Sequence, residues 1–307
     1  MFKFEKEQKI FEIAGVKVGG QPGQLPTVMM GSIFFHGDKL VKDDKEGIFD
    51  REKAVELLRK EEEISARTGN PRIIDVVGAW PKAIERYIDF IADATKSPFL
   101  IDGVSPDARM AGAKHASEVG LKDRAIYNTI SFETKQKEID AIKAAGLSSA
   151  IVLAFNPEKL TIEGRMEMLK GTPTKKSLLD IAKEAGIEKM LIDPATLDMP
   201  DVGPIAKAIH LFKKEYGFPA GCGAHNAVDV WVGRKKLDPT THLISNVVAN
   251  VTPILMGANF ALYGPLDRAA EIYHAVGLAD AYVAYCMRQE YKIEPLTKEH
   301  PLFKIFR

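Results

Sequence analysis

Eight short runs rich in Val, Ile, Leu, Met and Phe alternate along the chain with longer amphipathic stretches, and that pattern leaves few folds open. The runs are TVMMGSIFF (27–35), RIIDVVG (72–78), PFLID (98–102), RAIYNTI (124–130), SAIVLAF (149–155), KMLID (189–193), PAGCGAH (219–225) and NFALYG (259–264). Apolar runs this short read as strands covered on both faces, and helices between them make the strands parallel. Eight such units, without a long linker or repeat, predict one α/β domain over residues 1–307, a (β/α)8 TIM barrel, a fold that takes ~250 residues. An open doubly wound sheet competes, but no GxGxxG follows any of the strands.

The first 25 residues fit no βα unit. KIFEIAGVKVGGQPG reads as a hairpin turning at Ala14–Gly15, placed as a lid on the N-terminal mouth of the barrel. The charge run KLVKDDKEGIFDREK is expected as a solvated loop and helix start. Helices are expected to end at the glycines of EVGL, AAGL and EAGI, where a left-handed cap is followed by an aliphatic contact. Pro106 and Pro173 are expected just inside helix starts, the latter opening TKKSLLDIAKEA. PDVGPIAKAIHLFKKEYG and the region 226–257 are the next helical stretches.

Forty-two basic and 42 acidic side chains cancel, so no net field draws the chain to nucleic acid or anionic lipid. No apolar run approaches the ~18 residues of a membrane span, and MFKFEKEQK is not a signal peptide. Two cysteines, Cys222 and Cys286, without a CxxC suit a reducing compartment, so a cytoplasmic protein is expected.

Three of the strands end in, or contain, a bare aspartate, although burying a carboxylate is costly. In a barrel the C-terminal strand ends form the active-site rim, so a polar residue closing an apolar strand points at the site. The rim is then Asp75 in the second strand, Asp102 ending the third, Asn128 in the fourth, Asn156 past the fifth, Asp193 ending the sixth and His225–Asn226 at the seventh. Carboxylates and carboxamides without cations suit a ligand with adjacent N–H donors and ring acceptors, such as the aminopyrimidine edge of a pterin. The competing account is that each Asp caps the next helix, as Ser105 does ahead of Pro106. His36 lacks the second histidine of a metal pair, no metal site is expected, and neither a GxSxG nor a P-loop is present. Cys222, between two glycines in GCGAHN, reads as a small apolar strand residue rather than a nucleophile.

FEIAGVKVGGQPG, PTVMMGSIFF, TGNPRIIDVVG, FLIDGVSPDARMAGAKHASEVGLKDRAIYNTI, LIDPATLD and GCGAHNA together resemble the H subunit of tetrahydromethanopterin S-methyltransferase and the methylcorrinoid:tetrahydrofolate methyltransferases, within the pterin-binding barrel superfamily. The resemblance implies that Asp102, Asn128 and Asp193 hold the pterin and that Asn226 lies near its nitrogen 5, with Asp75 and Asn156 as further contacts. It implies methyl transfer between a corrinoid carried by a separate protein and N5 of a tetrahydropterin, with no covalently bound cofactor, in a homodimer. Tetrahydrofolate is the preferred pterin. The alternatives are tetrahydromethanopterin or a non-catalytic pterin-docking subunit, and a hydrolase on the same barrel is a weaker third.

Overall fold

The structure, a computed structural model, describes residues 1–197 and 201–306. The chain opens with the hairpin of β1 (Ile10–Ile13) and β2 (Val16–Gly19), which turns at Ala14 and Gly15 with φ of 44° and 86°. The barrel strands are β3 (Val28–Ile33), β6 (Arg72–Gly78), β7 (Phe99–Gly103), β8 (Ala125–Ile130), β9 (Ser149–Leu153), β10 (Lys189–Asp193), β11 (Gly221–Cys222) and β12 (Phe260–Pro265). They run parallel in the order β10-β9-β8-β7-β6-β3-β12-β11, and a bridge from Ile192 to Ala220, with Ile192 N donating to Pro219 O, closes β10 onto β11. All eight predicted strands are present, and the barrel is the predicted one.

Strand alternation sorts the side chains into two apolar groups. Val28, Met30, Ile73, Leu100, Ile126, Ile151, Leu191 and Phe260 form one cluster with Ile13 and Val18 of the hairpin. These residues fill the lumen, and the hairpin plugs its N-terminal end, where Lys189 Nζ also donates to Glu12 O at 2.7 Å. The alternate residues, such as Met29, Ile74, Ile101, Tyr127 and Ile192, face the outer helices.

Those helices are α1 (Arg51–Thr68), α2 (Pro81–Ala94), α3 (Pro106–Glu118), α4 (Gln136–Ala145), α5 (Ile162–Lys170), α6 (Leu178–Glu184), α7 (Val202–Tyr216), α8 (His225–Val230), α9 (Pro239–Leu255) and α10 (Ala269–Tyr291), followed by the short α11 (Pro301–Lys304). Gly120, Gly146 and Gly186 take φ of 77°, 66° and 85°, as the EVGL, AAGL and EAGI segments predict.

Four local expectations need correction. The charge run at 39–53 is not only loop: β4 (Val41–Asp43) and β5 (Ile48–Phe49) pair antiparallel before α1, with Phe49 packed on Phe34. Pro173 does not start a helix but sits in a turn between Thr172 and Lys175, and α6 begins at the Ser177 cap. Ahead of it lies α5, a helix not among the expected ones, which Thr161 caps by accepting from Gly164 N. The seventh strand is only two residues long because the chain coils into α8 from His225, and the region 226–257 divides into α8, a 3-10 turn (Val232–Lys236) and α9. The expected start of the next helix at Pro200, and Asp198 in LIDPATLD, lie outside the described residues.

Candidate functional site

Counting two residues beyond the inward-facing Met30, Ile73, Leu100, Ile126 and Leu191 gives Ser32, Asp75, Asp102, Asn128 and Asp193. Strand alternation therefore aims all five at the lumen, directly above its apolar filling. In register, Asp102 pairs with Asn128, and Asp75 pairs with both Ser32 and Leu100. Four of the residues expected at the rim, Asp75, Asp102, Asn128 and Asp193, thus share one layer, with Ser32 as a member that the strand-end rule passed over. The same count of two would have found it.

The helix-cap account of these residues does not hold. Ser105 caps α3 by accepting from Ala108 N, and Lys135, not Asn128, is the residue preceding α4. Asp193 Oδ1 accepts from Ala195 N at 2.7 Å, a local turn well ahead of α7.

Asp75 and Asp193 are buried, Asp102 is half-buried, and all three are poorly compensated. Asp75 is 2% exposed; Ser32 Oγ donates to its Oδ2 at 2.6 Å, while Oδ1 has no hydrogen-bond partner among the described residues. Burial pushes its pKa up to about 6, against the pull of the Ser32 hydrogen bond. Asp102 is held well above the usual carboxylate range by burial and then by the negative charge of Asp75, with Arg109 opposing both. Arg109, from α3, is engaged elsewhere, donating to Glu138 Oε1 at 2.8 Å and to Gly103 O at 3.0 Å. Burial raises Asp193 to about 7, opposed by the Ala195 N–H and then by Arg165. Acceptors buried this way gain most from a ligand that brings N–H donors.

Arg165 was not visible in the sequence because α5 was not. Fully buried, its guanidinium donates to the carbonyls of Pro194 at 2.7 Å, Ala195 at 3.3 Å and Leu160, fixing the segment after Asp193. Asn156 is also buried, but both ends of its carboxamide have backbone partners: Oδ1 accepts from Glu158 N at 3.1 Å and Nδ2 donates to Gly164 O at 3.5 Å. It braces the β9–α5 connection. Asn226 is exposed on the first turn of α8, and a Cβ on Gly223 would come within 3.0 Å of its Nδ2. Cys222 is buried, and burial followed by the charge of Asp193 pushes its thiol far up, the environment of an inert residue. Among the described residues no group of three or more His, Cys, Asp or Glu side chains is placed to hold a metal ion.

Residues 6–296 match the family described as the tetrahydromethanopterin S-methyltransferase MtrH subunit. The corresponding polypeptide of that enzyme from Methanothermobacter thermautotrophicus is 40% identical over 311 residues, covering 99% of this chain and 100% of the relative. The H subunit of the putative methyltransferase mtx of Methanosarcina barkeri is 40% identical over 308 residues, 98% of this chain and 99% of the relative. Among solved structures, dihydropteroate synthase of Xanthomonas albilineans superposes with a TM-score of 0.58 at 15% identity, covering 92% of this chain and 99% of that one. The Yersinia pestis enzyme gives 0.60 at 14% identity, with 89% and 99% covered. At such identities the likeness establishes the barrel fold alone.

Proposed function

The chain belongs to the MtrH family of tetrahydromethanopterin S-methyltransferase subunits, and we propose that it moves a methyl group to or from N5 of a tetrahydropterin bound at the C-terminal mouth of the barrel. The observation that carries this reading is the inward layer of Asp75, Asp102, Asn128 and Asp193, with an unpartnered buried oxygen on Asp75. An aminopyrimidine edge brings the kind of N–H donor that Asp75 Oδ1 lacks. Full-length relatives named for tetrahydromethanopterin favour that pterin over tetrahydrofolate, the one preferred from the sequence.

The methyl carrier, by resemblance a corrinoid on a separate protein, is the second substrate, and its cobalt supplies or takes the methyl group. A group that bulky approaches over the open rim, where Asn226 is exposed. The chain's own contribution is to position N5 and to meet the charge that changes there. A carboxamide at Asn226 answers that charge without titrating. A cytoplasmic location and a homodimer belong to the same proposal. Among the described residues no helix is long and apolar enough to cross a membrane.

Calorimetry with tetrahydromethanopterin and tetrahydrofolate tests the reading. The first is expected to bind more tightly, and Asp102→Ala, Asn128→Ala and Asp193→Ala each to weaken it by ~1–3 kcal/mol while folding normally. Asn226→Ala is expected to leave affinity within roughly tenfold and slow single-turnover transfer by ~10- to 1000-fold. Equal affinity in all three rim variants and the unaltered protein would remove the pterin site. Tight binding with no transfer to a corrinoid would leave a pterin-docking subunit instead.

A further inference from the structure

Methylation of a secondary amine changes the proton count at its nitrogen. The lone pair of N5 forms the new bond, the nitrogen becomes cationic, and its proton must leave; in the reverse direction a proton must arrive before N5 can depart from the methyl group. Asn128 and Asn226 do not titrate, and in the pterin reading the raised carboxyls of Asp75, Asp102 and Asp193 face the N–H groups of the aminopyrimidine edge, so the N5 proton needs another holder at the mouth.

His225, the first residue of α8, is built into the mouth in a fixed orientation. Its Nδ1 lies 2.7 Å from the carbonyl oxygen of Leu262 on β12. A carbonyl only accepts, so Nδ1 carries the hydrogen and Nε2 is left with the lone pair of the neutral ring. The ring occupies a slot that two glycines leave open. A Cβ on Gly264 would meet His225 Cδ2 at 3.0 Å and Cγ at 3.2 Å, and a Cβ on Gly223 would come to 3.6 Å from Cε1.

The direction of that slot follows from the strand. A Cβ on Gly221 would strike the ring of Phe260 at 2.7 Å, and Phe260 belongs to the lumen cluster. Gly223 follows directly on Cys222, the last residue of β11, and so stands at the C-terminal end of the barrel. His225 and Asn226, both lying against Gly223, therefore sit side by side over the barrel mouth. The charged groups around the imidazole are Asp229, on the same short helix, and Arg268, in the turn after β12. These two pair at 3.1 Å and act on the ring in opposite directions. Burial is the largest influence and holds the imidazole below its ordinary 6.5, neutral at physiological pH.

We propose that His225 is the proton carrier of the transfer. As N5 bonds to the methyl group, the bond from methyl to its corrinoid carrier breaks with the electron pair remaining on the carrier, and the N5 proton passes to Nε2. In the reverse direction Nε2–H returns the proton to N5 as the methyl group leaves for the reduced carrier. This assignment rests on the pterin reading of the site.

The test is single-turnover demethylation of 5-methyl-tetrahydromethanopterin by cob(I)alamin across a pH series, in the unaltered protein and in His225→Asn, with calorimetry of the pterin alongside. Asparagine keeps an amide donor for the Leu262 carbonyl and removes the titrating nitrogen. In the unaltered protein the rate is expected to rise as pH falls through the His225 pKa, below 6.5. In His225→Asn that rise is expected to vanish, with the rate at least ~100-fold lower and pterin affinity within about threefold. The same pH dependence in the variant would overturn the inference alone, because the pterin still binds. Failure of the unaltered protein to bind the pterin would overturn the site reading and the inference together.

Discussion

Lys213 of α7 and the carboxylates of the rim show opposite uses of burial. Lys213 is fully buried at the N-terminal end, where Nζ donates to Gly20 O at 3.0 Å and to Asn259 Oδ1 and lies 5.4 Å from the centre of the Phe4 ring. Its partners are neutral, and burial lowers its pKa from 10.5 to about 7. The folded state therefore sheds this proton at lower pH than the unfolded state does. Between pH 7 and 10.5 the unfolded chain binds more protons, so the Lys213 contribution to stability grows as pH rises and is lost as pH falls through 7. Relative to Lys213→Met, the unaltered protein is expected to gain stability from pH 7 to 9 with a slope of up to ~1.4 kcal/mol per pH unit. Denaturant unfolding at both pH values measures it, and parallel pH curves would refute it. The rim acids run the other way: Asp75 and Asp193, raised to about 6 and 7, are easier to keep folded when protonated, so ionising them as pH rises costs stability. A site that holds acceptors for a ligand carries this cost in the free protein.

At the scale of elements, the segment that presents Asp193 is held by a helix rather than by its own strand. Arg165 of α5 reaches the carbonyls of Leu160, Pro194 and Ala195, and Ala195 takes a left-handed φ of 61°. Arg165→Met leaves buried carbonyls unpaired and takes away the positive charge that lowers the Asp193 pKa. It is expected to destabilise the fold by ~3 kcal/mol and to weaken pterin binding at neutral pH, with the stability loss reading out in chemical denaturation. An unchanged midpoint would show that the carbonyls find other partners. Arg165 also marks where the sequence stopped being legible. The strands could be read because aliphatic runs ending in Asp102 and Asp193 are determined locally, and the inward set followed from a period of two. IEGRMEMLK has a glycine inside a short helix, and Gly164 is there because a Cβ would meet Lys159 O at 2.0 Å, a contact made by the chain's return and invisible in a window of residues. Asn156 is expected at the rim for the same reason: its position past a strand is plain in the sequence, but its backbone partners on Glu158 and Gly164 depend on α5. The sequence places His225 at a strand end, yet its fixed tautomer comes from Leu262, 37 residues away.

The outer surface of the whole molecule carries one feature that the barrel does not need. Seventeen residues of α9, PTTHLISNVVANVTPIL, include no Asp, Glu, Lys or Arg, although the chain has 84 such residues in all, 42 of each sign. Ile244 and Val248, one turn apart, are 56% and 58% exposed, and Leu255 is 41% exposed. The hydroxyls between them make no demand on solvent, since Ser245 Oγ donates to Thr241 O at 2.8 Å and Thr252 Oγ1 to Val248 O at 2.7 Å. A helix face so apolar is covered in an assembly more often than it is left to water. A second copy suits it, because an isologous contact sets the same uncharged face against itself and buries no unpaired charge, and two chains of zero net charge do not repel. The homodimer implied by the resemblance is therefore expected to form across α9. Sedimentation at micromolar concentration is expected to show a dimer for the unaltered protein and a monomer for Val248→Glu, which places a carboxylate where the two faces meet. Because Val248 lies on the outside of the barrel, the variant is expected to bind pterin as before. A Val248→Glu dimer as tight as the original would move the interface elsewhere on the molecule, and a monomeric unaltered protein would leave α9 to a different partner.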